Sequence, residues 1–471
     1  MNSKEMTIFE ANSFHLGAIL QLKNKFILMI YVDNKVNGVK TIFRSFQYRN
    51  YRLFFSGQSI SLIGTWIQRI ATPWLVYHLT GSTLMLGMVA FAGQIPTFLI
   101  APFAGVMTDR WNRYYMLIGT QIAAMIQALA LALLYYLGTI EVWEIMILSI
   151  FLGCINAFDV PSRQSFVVEM VEKKEDLGNA IALNSSMVNG ARLLGPSIAG
   201  VLIAFTGEGM CFLINGLSYI FVIISLLLMR VAPRKIINTK QPIFKELKEG
   251  FSYLNNNEPI KYIIGLLALV SLMGMPYAVL MPVFAKELLH GDSHTFGFLM
   301  GASGIGALSG ALYLASRNNV LGFGKIISIA ALIFGFGLIA FSFSRSFFIC
   351  LVLMVIIGLG MMLQMAASNT ILQTIVHDHM RGRVMSYYTM AFMGAAPFGS
   401  LLAGILADKI GVPDTILVGG ITCVLGGVIF MRKLPELRKA VHPIYVSLGF
   451  IPAEISSGIL EASEFSGTPE E

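Results

Sequence analysis

Roughly twelve apolar runs, each about 20 residues long and separated by short gaps, leave this chain only one solvent in which to fold. They lie near 53–77, 83–107, 114–137, 142–166, 180–205, 210–229, 260–284, 295–315, 325–343, 346–374, 384–407 and 412–431. Hydrocarbon supplies no partner for a backbone N–H or C=O, so segments of this kind must close their hydrogen bonds internally as helices. The chain is 56% hydrophobic and only 13% charged, and the rules for burying a soluble core do not apply to it. The expected fold class is an all-α membrane protein of twelve transmembrane helices.

Charge sets the orientation. Most of the 33 Lys and Arg fall in the amino-terminal segment, in the loops after spans 2, 4, 6, 8 and 10, and just after span 12. The opposite loops hold only Lys286, Arg345 and Lys409. That asymmetry predicts that both termini lie in the cytosol, as an even number of spans requires. The positive balance therefore reports topology, and nucleic acid is not expected as a partner. Phe26 to Val32 is apolar but too short to cross, and no small-residue cleavage site follows it. Cys154, Cys211, Cys350 and Cys423 fall one to a span, which suggests neither a disulfide nor a metal site. His377-Asp378-His379 reads as a surface segment rather than a metal ligand set.

The apolar pattern breaks between spans 6 and 7. Within that break Ile243, Phe244, Leu247, Phe251 and Leu254 recur at helical spacing opposite lysines and glutamates, which predicts an amphipathic helix along the membrane surface. The expected organisation is a cytosolic amino-terminal segment (1–50), a first six-helix half (51–230), the linker (231–259), a second half (260–432) and a cytosolic tail (433–471). An internal repeat supports the division: Gly190, Gly195 and Gly200 in span 5 recur at one constant offset as Gly394, Gly399 and Gly404 in span 11. Repeated halves of this kind place a substrate at their interface near the midplane and rock around it.

Polar residues inside the spans are the candidate machinery, because an ionisable group in hydrocarbon needs a cavity or a partner. Span 4 places Asn156, Asp159 and Arg163 on one helical face, and span 1 places Trp66 and Arg69 on one face with Gln68 beside them. Three arginines, Arg69, Arg163 and Arg192, share the single aspartate Asp159, while the repeat partners Gln364, Ser368 and Ala396 are neutral. Two readings stay open. In one, Asp159 carries the transported proton, with Glu169 in reserve, and the surplus arginine holds an anionic substrate; in the other, Asp159 and an arginine form a structural pair. Gln94, Asn189, Tyr277, Gln364 and Asn369 complete the candidate substrate cavity, with methionines around Met361 for adaptable apolar contact.

The hairpin between spans 2 and 3 reads Gly105-Val-Met-Thr-Asp109-Arg110-Trp-Asn-Arg113. Its Gly-x3-Asp-Arg-x-x-Arg pattern resembles the corresponding loop of the major facilitator superfamily, although Asn112 stands where that family more often has Gly. The resemblance implies the two-half major facilitator fold and makes Gly105, Asp109, Arg110 and Arg113 a gating latch for the outward-open state. Gly195-Pro196-Ser-Ile-Ala-Gly200 is close to the Gly-Pro-x-x-Gly-Gly signature of antiporters in that superfamily, and with Gly190 it implies export rather than import. The run Gly64-Thr-Trp-Ile-Gln-Arg69, with Pro161-Ser-Arg163-Gln and Arg381-Gly-Arg-Val-Met, resembles the bacterial transmembrane secretion effectors. That resemblance implies a monomeric, proton-coupled exporter of the bacterial inner membrane, working without a cofactor on a siderophore or, alternatively, on macrolides and other drugs. A proton-coupled importer is the remaining alternative. The chain has no Gly-x4-Gly-Lys-Ser/Thr phosphate loop and no His-Glu-x-x-His, so neither a nucleotide-driven pump nor a metalloenzyme is expected.

Overall fold

A computed structural model describes residues 43–231, 243–317 and 320–447, with side chains left out at a few positions within them. The amino-terminal segment before residue 43 and the tail beyond 447 lie outside the described residues. Among the described residues there is no strand. The first half comprises α1 (Arg49–Thr80), α2 (Thr83–Arg110), α3 (Arg113–Tyr136), α4 (Val142–Glu169), α5 (Lys174–Thr206) and α6 (Glu208–Leu227). The second comprises α7 (Glu258–Leu288), α8 (Ser293–Ala315), α9 (Phe323–Phe343), α10 (Phe347–Ile375), α11 (378–410) and α12 (Val412–Ser447). Eleven helices are long and apolar enough to cross a membrane, and α1 is long enough but more polar. Its polarity has a structural reason, since Gln58, Ser61 and Gln68 are buried against neighbouring helices rather than exposed to lipid.

Neither α7 nor α11 is a regular α-helix throughout. Val270–Gly274 and Phe284–Leu288 in α7, and Met390–Gly394 in α11, are π-helical turns. Pro276, Pro282 and Pro397 lie just beyond or between these turns; proline has no N–H to give, and a wider turn accommodates the lost bond.

Small residues bring the helices together, as they must where lipid is as apolar as the side chains. A Cβ at Gly195 of α5 would collide with Trp66 of α1, and one at the repeat partner Gly399 of α11 would collide with the Leu272 carbonyl of α7. The two halves meet through a second pair of crossings. Gly200 of α5 packs on Gly297 of α8, where an added Cβ would stand 2.9 Å from the facing Cα. Gly404 of α11 packs on Gly87 of α2 at the same 2.9 Å. Each crossing carries a hydroxyl one turn before the glycine: Ser293 Oγ donates to the Gly200 carbonyl at 3.2 Å, and Thr83 Oγ1 to the Gly404 carbonyl at 3.4 Å.

These crossings lie toward the face opposite the one that carries the linker and the chain's outer segments; the two are called here the distal and terminal faces. Other contacts between the halves fall on the same side. Trp74 stacks on Phe296 at 5.9 Å and Tyr77 donates to the Glu287 carboxylate with Lys286 over its ring, while Phe98 meets Phe398 edge-on at 6.0 Å nearer the middle of their helices. The buried apolar core has the same shape. One cluster joins the second half to the distal part of the first, through Leu75, Leu86 and Ile203, while the terminal part of the first half, around Tyr51, Phe166 and Leu226, forms a separate cluster. The halves are thus joined distally and parted toward the terminal face.

On that terminal face the linker helix Ile243–Asn256 packs on the start of α11, with Glu249 paired to Arg383 at 2.6 Å. Helix α12 extends well past the span expected near 412–431, because Leu434, Leu437 and Val441 are buried and Lys433 pairs with Glu436 one turn on. A short 3-10 turn, Arg44–Gln47, precedes α1 and is tied to the start of α5: Arg44, Gln47 and Tyr48 all bond the Asp176 carboxylate, at 3.0, 2.8 and 2.7 Å.

Candidate functional site

Midway along α1, the guanidinium of Arg69 lies over the Trp66 indole, 4.9 Å from the ring centroid. One turn apart on a helix, the two side chains share a face. Arg192 of α5 reaches the same ring at 5.8 Å. Gly195 makes this possible: lying one turn after Arg192, it has no Cβ to hold α5 away from Trp66. Arg192 also faces the second half, with Nη2 3.5 Å from Met361 Sδ of α10. Gly304 of α8 packs on the backbone at Leu193, so the Arg192 turn is where α5 touches both α1 and the second half. Arg69, though surrounded by helices, is exposed, so it opens on the gap between the halves. Among the described residues neither Arg69 nor Arg192 forms an ion pair.

Asp159 has a different environment. It is buried, and Arg163 one turn on pairs with its Oδ2 at 3.2 Å. Its Oδ1 accepts from Gln121 Nε2 at 2.6 Å and from Thr120 Oγ1 at 3.1 Å, both on α3. The third arginine is therefore matched by the one aspartate, and the net charge of the remaining cluster is that of Arg69 and Arg192. The repeat partners of Asp159 and Arg163 are buried too, but Gln364 Nε2 and Ser368 Oγ have no hydrogen-bond partner in this arrangement.

The other candidate residues fall into three groups. Gln68 is consumed inside the first half: its Nε2 donates to Gln127 Oε1 at 3.0 Å, and its Oε1 accepts from Asn215 Nδ2 at 2.7 Å. Tyr277 is buried and shares a 3.1 Å hydrogen bond with Ser303, while Gln94 reaches across the halves to Ser400 at 3.5 Å. Asn156, Asn189 and Asn369 are half-buried, with Asn189 bonded to its own helix at Ser185 and Asn369 accepting from Gln373. Sequence reasoning did not find Asn215 and Gln127, since a lone amide in an apolar span does not announce its partner.

At the terminal end of α4, Glu169 pairs with Arg113 at 3.0 Å, joining the reserve proton candidate to the hairpin. The side chains of Asp109 and Arg110, and the surroundings of Gly105, lie outside the described residues. A Cβ built at Gly190 meets nothing within 4 Å, so this glycine serves no close packing, unlike Gly195 and Gly200.

Two six-helix halves that meet through paired glycine crossings, with Arg69 exposed between them, define a membrane transporter of the major facilitator type. The chain matches the transmembrane secretion effector family over residues 40–446, and it belongs to that family. It is 27% identical over 400 residues to the "Staphyloferrin A transporter" of Staphylococcus aureus, covering 83% of this chain and 99% of that one. It is 24% identical over 404 residues to "Macrolide efflux protein A" of Streptococcus pyogenes, covering 83% and 98%. Among solved structures, a bacterial homologue of the iron transporter ferroportin in an inward-facing state matches with a TM-score of 0.62 at 16% identity, covering 82% of this chain and 98% of that one. A bacterial homologue of the lysosomal transporter Spinster, also inward-facing, matches with a TM-score of 0.61 at 14% identity, covering 83% and 96%. The chain is therefore a multi-pass membrane protein of a family of small-molecule transporters.

Proposed function

We propose that this chain is a proton-coupled exporter that moves a small molecule such as a siderophore out of the cytosol by alternating access, working as a monomer in the bacterial inner membrane. The observation that carries the proposal is the gap that opens on the Lys- and Arg-rich face and exposes an arginine without an acid. By the positive-inside bias that face is cytosolic, so the gap stands ready to load from the cell interior. The name of the staphylococcal relative supports a siderophore as cargo.

In this scheme Asp159 is the coupling site. It takes a proton from outside after the cargo has left and gives it up to the cytosol before the next is loaded, so that proton and cargo occupy the protein in turn. Glu169 and Arg113 act with Asp109 and Arg110 at the cytosolic rim, closing it in the outward-open state and releasing it on inward opening. A second reading, drug or macrolide efflux, is favoured by Met361 against Arg192 and by Met362 and Met365 on the same helix, side chains that adapt to varied apolar shapes. Uptake into inside-out vesicles under an imposed proton gradient, wild type against Asp159→Asn, tests the proposal. Gradient-driven accumulation lost in the variant supports it; accumulation that ignores the gradient overturns it.

A further inference from the structure

We propose that Arg69 and Arg192, stacked on the single indole of Trp66, form a binding site for a small molecule carrying at least two carboxylates, and that filling this site lets the halves close over it. The proposal rests on the reading of the chain as a transporter that loads from the gap, and it names the chemistry of the load. The two guanidinium carbons lie 4.9 and 5.8 Å from one ring centroid, with Arg69 exposed to the gap. Among the described residues no carboxylate pairs with either, because Asp159 is taken by Arg163, Gln121 and Thr120. Stacking on an aromatic face steadies each cation but does not neutralise it. Two like charges are thus held side by side in a region walled by helices, where their repulsion is weakly screened. A ligand with one negative charge would leave one guanidinium unmatched; two carboxylates give each fork a planar, bidentate partner.

The surroundings favour carboxylate over phosphate. Met361 closes one side, and the Tyr277 hydroxyl nearby is already bonded to Ser303. The helical backbone has no free N–H at this level to serve further oxygens. A planar carboxylate is matched by one guanidinium fork, whereas each tetrahedral phosphate carries a further oxygen for which these two arginines supply no fork.

The position of Arg192 couples filling to motion. Its turn of α5 packs on Trp66 of α1 on one side and on α8 and α10 of the second half on the other. Closing the second half over the empty pair would bury two unmatched charges in a dry site, at a desolvation cost that two bound carboxylates remove, so the filled site is the one over which the halves can close.

Equilibrium binding to the purified full-length protein in nanodiscs tests this without any gradient. The probe is tricarballylate, read by calorimetry, with its neutral triamide, inorganic pyrophosphate and ethidium as comparators. The expected result is saturable tricarballylate binding, weakened at least tenfold in Arg69→Gln and in Arg192→Gln. Arg69→Lys, which keeps the charge but loses the planar fork, should bind with an intermediate constant, and all variants should elute as the wild type does from a sizing column. Two spin labels on the terminal ends of α4 and α10 should approach on adding tricarballylate in the wild type and stay apart in Arg69→Gln. Equal binding of the triamide or of ethidium, pyrophosphate preferred over tricarballylate, or affinity unchanged in both glutamine variants would each overturn the proposal. If binding fails while gradient-driven export of another compound stands, the site assignment is wrong and the exporter reading survives; if binding holds and no gradient drives transport, the reverse is true.

Discussion

Replacing Gly404 by alanine should drive the protein from its distal-closed form toward a distal-open one. The added Cβ would lie 2.9 Å from both the Gly87 Cα and the Thr83 carbonyl oxygen, and 3.2 Å from the Gly87 nitrogen. All three are backbone atoms of a helix, so no side chain can turn aside to make room. Overpacking at a contact of this kind costs about 1–3 kcal/mol. The cost falls only on the state in which α2 and α11 touch, so it moves the equilibrium between the two states by roughly 5- to 150-fold. The assay is maleimide labelling of Ser293→Cys in a background without the four native cysteines. Ser293 is buried at the other crossing, on α8 against Gly200, so it reports whether the halves separate as rigid bodies. Labelling should speed up at least fivefold when Gly404→Ala is added, and Gly200→Ala should produce the same effect at a reporter placed on α2. An unchanged rate at Ser293→Cys would refute the idea that the paired glycine crossings set the balance of states.

Three further outcomes follow from the same geometry. Asp159→Leu leaves the Arg163 guanidinium without its acid in a partly buried site and should destabilise the first half by about 3 kcal/mol, whereas Asp159→Asn keeps an acceptor for Gln121 and should fold normally; thermal melts of both variants check this. Gln68→Leu strands the Gln127 carbonyl and the Asn215 amide and should cost about 1–3 kcal/mol, with no change in ligand affinity by calorimetry. Arg69→Gln should raise the thermal midpoint of the ligand-free protein, because it removes one of two like charges that no acid balances; a lowered midpoint would mean that Arg69 is structural.

Periodicity and apolar run length made the helices legible, since in lipid a long apolar run has no other way to satisfy its backbone. The repeat was legible for the same reason that it matters: Gly195 with Gly399, and Gly200 with Gly404, occupy close helix crossings where a Cβ has no room. Their partners Gly87 and Gly297 were not, because a glycine in an apolar span is common and only the partner helix shows which one is needed. The arginines were legible as a surplus over Asp159, but which of them remained unmatched was decided by register. Arg163 follows Asp159 by one turn and claims it, while Gly195 brings Arg192 to Trp66 instead. Gln68 drew attention as a polar residue beside Arg69, yet on a helix the next residue points about 100° away, and it faces Gln127 and Asn215 inside the bundle. The length of α12 was hidden by Pro435 and Pro443, which argue locally for a break and are overruled by burial of Leu434, Leu437 and Val441.

Proteoliposomes loaded through one defined face give the most direct test of the account. Wild-type protein oriented with its Lys- and Arg-rich face outward should take up a radiolabelled carboxylate siderophore when the lumen is made acidic relative to the outside, and should release protons as it does so. Asp159→Asn should bind the siderophore but fail to accumulate it against its gradient. Accumulation that is indifferent to the proton gradient, or that persists in Asp159→Asn, would contradict a proton-coupled exporter built on this site.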